Sequence, residues 1–283
     1  MSRSDPDLLG AVRAFIEDAL TDQQGLPLVV GICGAQGSGK STLASALTDE
    51  LERGGRTCAV LSLDDLYLTR AEREQLAREV HPLLATRGPP GTHDVPLGLA
   101  VLDTLRAGTR VRLPRFDKAR DDRLDPVAWP GVDHKCDVVV FEGWCVGARA
   151  QSSDALAIPI NALEVSQDPD LIWRRFVNEA LAGPYQDLFG LIDRLVFLQA
   201  PSFEVVGRWR EQQETELRAS GIQGDRVMNP AQVAHFVQHY ERITRHILAE
   251  MPSRADLVAV LDADRRPVRF TAKFGALPHT SSE

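Results

Sequence analysis

An eight-residue segment, Gly34 to Ser41, limits what this chain can fold into more than any other part of the sequence. It reads Gly-Ala-Gln-Gly-Ser-Gly-Lys-Ser and matches the pattern G-x-x-x-x-G-K-[ST] at every fixed position. An apolar run over residues 28–33 precedes it and a helical pattern follows it, which is the strand-loop-helix context that the pattern requires. The glycines let backbone N–H groups turn around phosphate oxygens, and the helix adds its positive N-terminal end. The segment therefore predicts a P-loop that binds a nucleoside triphosphate.

Residues of this loop have distinct expected roles. Lys40 would reach the β- and γ-phosphates, and the Ser41 hydroxyl would hold Mg²⁺. A ligand-free turn is the alternative, but chance would then have to supply the motif and both flanks together. The residues expected to contact the nucleotide are Gly34, Ala35, Gln36, Gly37, Ser38, Gly39, Lys40, Ser41 and Thr42.

Length and charge narrow the range of possible partners. The 283 residues suit one large α/β domain with appended elements, and the net charge of -8 offers no overall positive field for nucleic acid or an anionic membrane. The four cysteines lack C-x-x-C spacing, no apolar run approaches membrane-spanning length, and the N-terminus has no signal-peptide core. We therefore expect a cytoplasmic protein with a small-molecule substrate, no nucleic-acid or membrane partner, and an oligomeric state that the sequence leaves open.

Two further strand patterns end in acidic residues. The strand predicted over residues 57–63 is followed by Asp64 and Asp65, and the apolar run over residues 137–141 ends in Glu142. In an open α/β sheet, such side chains project into the crevice where ligands bind. Asp64 is the preferred candidate for the base that accepts a hydroxyl proton, with Mg²⁺ binding as its other possible role. Glu142 would hold the metal's water shell or orient the acceptor, and a capping role is the alternative for all three acids.

Two polar loops lie between these strands in the sequence. The first, over residues 81–94, is rich in Gly and Pro and concentrates Arg, Thr, His and Asp side chains. The second, over residues 110–125, contains the charged cluster Arg115, Asp117 and Lys118. Both loops could form an acceptor pocket for a small anion, or they could simply be solvated surfaces.

A helical pattern that begins near Phe203 carries two arginines, Arg208 and Arg210. Such a helix could act as a lid over the transferring phosphoryl group, where guanidinium charge would offset developing negative charge. A surface helix with i,i+4 salt bridges is the alternative.

The alternation of strands and helices predicts an α/β fold with a doubly wound, mainly parallel sheet flanked by helices. The last strand is expected over residues 257–262. Further helices are predicted over residues 5–21, 69–80, 97–105, 169–182 and 230–251. We expect a single domain over residues 1–283, with a nucleotide-binding core at 22–68, acceptor-binding loops at 81–125, a possible lid at 203–225 and a tail at 273–283.

With these segments in order, the chain resembles P-loop small-molecule kinases of the uridine kinase, phosphoribulokinase and pantothenate kinase superfamily, and within it the D-glycerate 3-kinase type. The P-loop is shared very widely, whereas the motifs Asp-Asp-x-Tyr-Leu-Thr and Arg-Gly-x-x-Gly-x-His-Asp are much narrower. The similar segments are Gly34 to Thr42, residues 62–69, 87–94, 114–118 and 141–144, Trp209-Arg210 and Gln213-Glu214.

The resemblance implies a P-loop kinase fold with a helical lid, the cofactors ATP and Mg²⁺, and phosphoryl transfer to a hydroxyl of a small acid, most closely D-glycerate. The catalytic residues that it implies are Lys40, Asp64, Glu142, Arg208 and Arg210. The metal-binding residues would be Ser41, Asp64 and Glu142. The acceptor-binding residues would be Asp65, Tyr67, Arg87, His93, Arg115 and Lys118.

Two alternatives stay open at the level of the sequence. One is a kinase for another small hydroxylated metabolite, such as a nucleoside, a sugar or a pantothenate-like molecule; few aromatic residues lie in the polar loops, which favours a small acid over a nucleoside. The other is a nucleotide-dependent switch protein, which would need neither a second carboxylate nor an acceptor loop.

Overall fold

The computed structural model describes residues 7–21, 25–219 and 228–273. Its helices are α1 (Leu8–Thr21), α2 (Lys40–Arg53), α3 (Arg70–Glu79), α4 (Val95–Arg106), α5 (Ser153–Ala157), α6 (Ala162–Gln167), α7 (Ile172–Ala182), α8 (Pro184–Phe189), α9 (Phe203–Ala219) and α10 (Pro230–Glu250). Its strands are β1 (Leu28–Gly34), β2 (Cys58–Ser62), β3 (Val111–Arg112), β4 (Phe116–Asp117), β5 (Asp122–Arg123), β6 (Gly131–Val132), β7 (Val138–Gly143), β8 (Arg194–Gln199), β9 (Leu257–Leu261) and β10 (Pro267–Ala272). Short 3-10 turns lie at Leu63–Leu66, Pro82–Ala85, Pro126–Ala128 and Met251–Ser253.

A six-stranded sheet forms the centre of the molecule, in the order β10-β9-β8-β1-β7-β2. Neighbouring strands from β9 to β2 are parallel, and β10 is antiparallel to β9. Every residue of β1 and β7 is buried, because parallel strands with helices on both faces are covered twice and read as continuous apolar runs. The predicted α/β fold with a mainly parallel sheet is confirmed.

Each face of the sheet has its own apolar core. Val29 and Val139 point into the core that contains residues of α4, α7, α8 and α10. Val30 and Val140 point to the opposite side, where α1, α2 and α9 contribute. Alternate residues of a strand face opposite sides, so one strand supplies both cores and the fold is doubly wound.

Strand register brings the predicted acidic residues to the P-loop. The register pairs Cys33 of β1 with Gly143 of β7, and Glu142 of β7 with Ser62 of β2. Because these three strands are parallel, the turns that follow them open at the same edge of the sheet. The P-loop, Glu142 and the Asp64 turn therefore meet there.

The structure differs from the sequence expectations mainly in short or edge elements. Residues 257–261 are not the last strand, because β10 follows them and pairs with β9 at the edge of the sheet. Several residues of β10 are exposed, so this strand lacks the apolar run by which a strand is predicted from sequence. Helices α5, α6 and α8 have only five or six residues each and were not predicted. Residues 22–24 of the expected core, 220–225 of the expected lid and 274–283 of the expected tail lie outside the described residues.

In the part of the chain that is described, no helix is long and apolar enough to cross a membrane.

A buried ion cluster fixes the long helix α10 against α6 and α7. Glu164 is fully buried and accepts hydrogen bonds from Arg242 Nε and Nη2, both at 2.7 Å. Arg174 lies 3.5 Å from the same carboxylate and donates from Nε to Asp168 at 2.8 Å. The cluster thus determines where α10 sits relative to the rest of the molecule.

Replacing Glu164 with Gln should lower the free energy of unfolding by about 3 kcal/mol, because it leaves buried guanidinium charge without its counter-ion. Urea denaturation would measure the change. The matched control is Glu204→Gln, since Glu204 also pairs with an arginine of α10 but is 66% exposed; its loss should cost less than about 1 kcal/mol. Equal effects of the two substitutions would contradict a special role for the buried cluster.

Candidate active site

The P-loop connects β1 to α2 and is shaped by two glycines in the left-handed region. Gly37 has φ +77° and Gly39 has φ +89°, values that other residues rarely adopt. A Cβ on Gly37 would also lie only 2.7 Å from Cβ of Trp209 in α9. The side chain of Lys40 is buried, and its Nζ donates to the carbonyl of Ala35 at 3.2 Å. The loop is therefore a compact turn with its lysine directed inward.

Glu142 lies beneath the loop as the second acidic residue. It is buried, and its Oε1 accepts from the Ser41 hydroxyl at 3.0 Å and from the Ser62 hydroxyl at 2.9 Å. No group of three or more His, Cys, Asp and Glu that could hold a metal occurs among the described residues. A serine hydroxyl next to one carboxylate nevertheless fits Mg²⁺, which takes one or two protein oxygens and fills its shell with phosphates and water.

Asp64 occupies the 3-10 turn after β2 and is held at both carboxylate oxygens. Tyr67 donates its hydroxyl to Oδ1 at 2.7 Å, and Lys118 donates Nζ to Oδ2 at 2.6 Å. Burial on its own would raise the pKa of Asp64, but the Lys118 ammonium and the Tyr67 hydroxyl outweigh it and lower that pKa to about 2. The carboxylate is therefore ionised at neutral pH and can accept a proton.

Most of these groups line one pocket of about 200 Å³, and Glu142 lies behind it, bonded to the Ser41 hydroxyl. The lining residues of the pocket are Gln36, Gly37, Lys40, Ser41, Asp64, Tyr67, Arg87, Lys118, Arg210, Phe236 and Tyr240. Four of these described residues are basic and one is acidic, although the whole chain carries a net charge of -8. The pocket thus concentrates positive charge locally, as the binding of phosphate or carboxylate requires.

Several residues predicted at the site do not line this pocket. Asp65 accepts from Arg115 Nη1 at 3.2 Å and from the backbone N–H of Phe116 at 3.0 Å, so this pair fastens the second polar loop to the Asp64 turn. Arg208 and Thr42 are exposed. Direct contact of these four predicted residues with a ligand finds no support in the pocket lining and stays a prediction.

His93 lies behind Tyr67 and not on the pocket wall. Its ring stacks on Tyr67 with centroids 4.8 Å apart, and its Nδ1 is 2.5 Å from the Tyr185 hydroxyl. The same hydroxyl accepts from the backbone N–H of Gly91 at 3.0 Å. Burial lowers the pKa of His93 to about 3, which keeps the ring neutral. The other ring nitrogen, Nε2, is buried and has no hydrogen-bond partner among the described residues.

Two pocket residues, Phe236 and Tyr240, were not predicted from the sequence. Both come from α10, where they belong to an apolar stripe that is equally typical of a plain core helix. Tyr240 donates its hydroxyl to the carbonyl of Arg87 at 2.8 Å, and Arg210 Cζ lies 5.6 Å from the Phe236 ring centroid. A stripe does not distinguish a pocket wall from a core, so the sequence held no signal for them.

Comparisons with known proteins bear on this site. The family model "Methylmalonyl Co-A mutase-associated GTPase MeaB" matches residues 8–67, the segment that includes the P-loop and Asp64. A relative from Schizosaccharomyces pombe, the uncharacterized kinase mug58, is 38% identical over 87% of this chain and 91% of its own length. The similarity to a kinase therefore extends well beyond the P-loop segment.

Two further similar proteins are D-glycerate 3-kinases. The chloroplastic D-glycerate 3-kinase of Arabidopsis thaliana is 32% identical over 86% of this chain and 54% of its own length. The solved structure of D-glycerate 3-kinase from Cryptococcus neoformans has a TM-score of 0.78 at 28% identity, covering 94% of this chain and 99% of that one. The chain belongs to the P-loop small-molecule kinases, and it is similar to those of the glycerate 3-kinase type. It is thus a small-molecule kinase that uses a nucleotide, and the resemblance stated from its motifs is confirmed.

In this P-loop kinase, replacing Lys118 with Met should raise the pKa of Asp64. The substitution removes the charge that opposes the effect of burial, so the carboxylate would take up a proton at a higher pH. Carbon-13 NMR of the carboxyl groups, assigned with Asp64→Asn, would follow the titration. We expect the natural chain to keep Asp64 ionised down to about pH 4 and the variant to titrate above that.

The control for this experiment is Arg120→Met. Arg120 lies in the same loop, is 76% exposed and is 4.0 Å from its partner Asp117, so its loss should leave the Asp64 titration unchanged. An identical titration in the Lys118 variant and the natural chain would show that Lys118 does not control this carboxylate.

Proposed function

We propose that this chain transfers the γ-phosphoryl group of ATP to a hydroxyl of a small hydroxy acid, D-glycerate. The observation that carries the proposal is the pocket in which the P-loop lysine, an ionised aspartate and further basic side chains face one another. The names of two relatives support D-glycerate as the acceptor. We also propose that residues 22–68 form the nucleotide-binding part and residues 81–125 the acceptor-binding part.

The basic groups divide naturally between the two substrates. Lys40 extends from the start of α2 and would contact the β- and γ-phosphates. Lys118 and Arg87 come from the two polar loops on the acceptor side, and both are held by aspartates in this structure. A carboxylate on the acceptor would replace those aspartates as the partner of a cation that already faces the pocket.

Asp64 is positioned to act on the acceptor hydroxyl. Once Lys118 turns to the acceptor carboxylate, Oδ2 becomes available to accept the hydroxyl proton, while Tyr67 still orients Oδ1. His93 would support the Tyr67 ring from behind, where the two rings stack. Because the transition state of phosphoryl transfer is loose, a weak but well-placed base is sufficient.

Ser41 and Glu142 would hold Mg²⁺, which when bound neutralises charge on the phosphate oxygens. The hydrogen bond between them already places the hydroxyl and the carboxylate next to each other. Arg210 reaches the pocket from α9, where its charge would stabilise the transferred group.

A nucleoside is the second candidate acceptor, because Tyr67, Phe236 and Tyr240 give the pocket aromatic walls. Their rings are already engaged, however: Tyr67 stacks on His93, and Arg210 lies over Phe236. The excess of positive charge in a small pocket also suits an acid better than a neutral base. Similarity to kinases favours a glycerate or nucleoside kinase over the nucleotide-dependent switch protein that the sequence left open.

Purified protein with MgATP should release ADP with D-glycerate and much less with L-glycerate, glycerol, pantothenate, uridine or ribulose 5-phosphate. A coupled assay for ADP would measure this, and Asp64→Asn should lower the acceptor-dependent rate by about a hundredfold or more. Glycerol is the matched uncharged acceptor, since it has the same three carbons without the carboxylate. Turnover with uridine instead of D-glycerate would move the acceptor assignment to the nucleoside. No acceptor-dependent ADP release with ATP still bound would refute the proposal.

Replacing Lys40 with Ala should reduce kcat at least as much as Asp64→Asn, and each by about a hundredfold or more. The reason is that charge stabilisation and positioning contribute more than proton abstraction to a loose transition state. Steady-state kinetics with D-glycerate would compare the two. A markedly larger loss in the Asp64 variant would indicate a mechanism that depends on the base.

A further inference from the structure

The back of the P-loop contacts a residue from the far end of the described chain. Arg265 lies in the turn between β9 and β10, and its Nε donates to the carbonyl of Gly37 at 2.5 Å. Its Nη1 donates to Gln212 Oε1 at 3.0 Å, and its Cζ lies 5.3 Å from the ring centroid of Trp209. One guanidinium thus connects the P-loop to helix α9.

The backbone of Arg265 is in an unfavourable conformation. Its φ is +68°, in the left-handed region that Gly or Asn adopts more easily than Arg. The turn itself is held by Asp262, whose Oδ1 accepts from the backbone N–H groups of Asp264 at 2.8 Å and Arg266 at 2.9 Å. Since the turn does not need an arginine, the contacts of the Arg265 side chain account for its presence.

The carbonyl of Gly37 is a critical atom in a P-loop. Backbone N–H groups can face a phosphate only if the carbonyls between them point away from it. Gly37 also has a glycine's freedom to rotate its peptide. A charged donor on that carbonyl holds the loop in the orientation that accepts phosphate, and charge-assisted hydrogen bonds are the strong ones.

We propose that Arg265 is a positioning residue for the nucleotide, acting through the Gly37 carbonyl without contacting the ligand. Trp209 also connects the P-loop to the β9–β10 turn. It is buried, packs against Gly37 and donates Nε1 to the carbonyl of Ala263 at 2.7 Å. The next residue of α9, Arg210, lines the active-site pocket. The same contacts therefore set both the phosphate loop and an arginine that faces it.

The test compares Arg265→Asn with Arg266→Asn. Both remove one positive charge from the same turn, Asn tolerates the left-handed conformation at position 265, and Arg266 is an exposed neighbour. Isothermal titration with ATP in the absence of acceptor would give the dissociation constant. We expect it to rise about tenfold in the Arg265 variant and to stay unchanged in the Arg266 variant. Arg265→Lys, which keeps the charge, should recover part of the affinity.

Thermal melting distinguishes positioning from a structural role. Because Asn relieves backbone strain, the melting temperature of the Arg265 variant should match or exceed that of the natural chain, and the KM for D-glycerate should stay unchanged. Unchanged ATP affinity would overturn the proposal, and so would a loss of affinity that accompanies a fall in melting temperature. The titration needs no acceptor, so its result is independent of whether D-glycerate is the substrate.

Discussion

The parallel pairing of β1, β7 and β2 is the constraint on which the site depends. Strands β1 and β7 are buried along their whole length. Parallel pairing brings the carboxyl ends of all three strands to one edge of the sheet. Glu142 then accepts from Ser62 and Ser41 across that edge. The polar loops and α10 then form the remaining walls of the active-site pocket.

A second constraint is the concentration of positive charge inside an acidic protein. Aspartates beside the pocket offset part of this charge, and an acidic ligand would replace them as partners of the cations. The pairs near the pocket are Lys118 with Asp64, Arg115 with Asp65, and Arg87 with Asp121. A bound acid would thus exchange one carboxylate partner of these cations for another.

The parts of the site that the sequence predicted follow from local pattern. The P-loop has fixed spacing, and Asp64 and Glu142 come directly after apolar runs, so strand topology alone places them. Other residues of the site are positioned by packing between segments that are distant in the sequence, and the spacing of residue types along the chain does not predict such packing. Nothing in the sequence separates Phe236 from a core residue, nor indicates that His93 stacks behind Tyr67. The strand β10 escaped prediction for a related reason, since exposed edge residues carry no periodic apolar signal.

The pocket lining runs along the chain from Gln36 to Tyr240, and the Arg265 contact to the P-loop comes later still. During synthesis the phosphate loop therefore emerges long before the residues that enclose it. Contacts so distant in sequence form slowly, because a long segment of chain must be ordered before they stabilise anything. A nascent chain would present an incomplete nucleotide site until β9 and β10 pair, so the site would be completed late in synthesis.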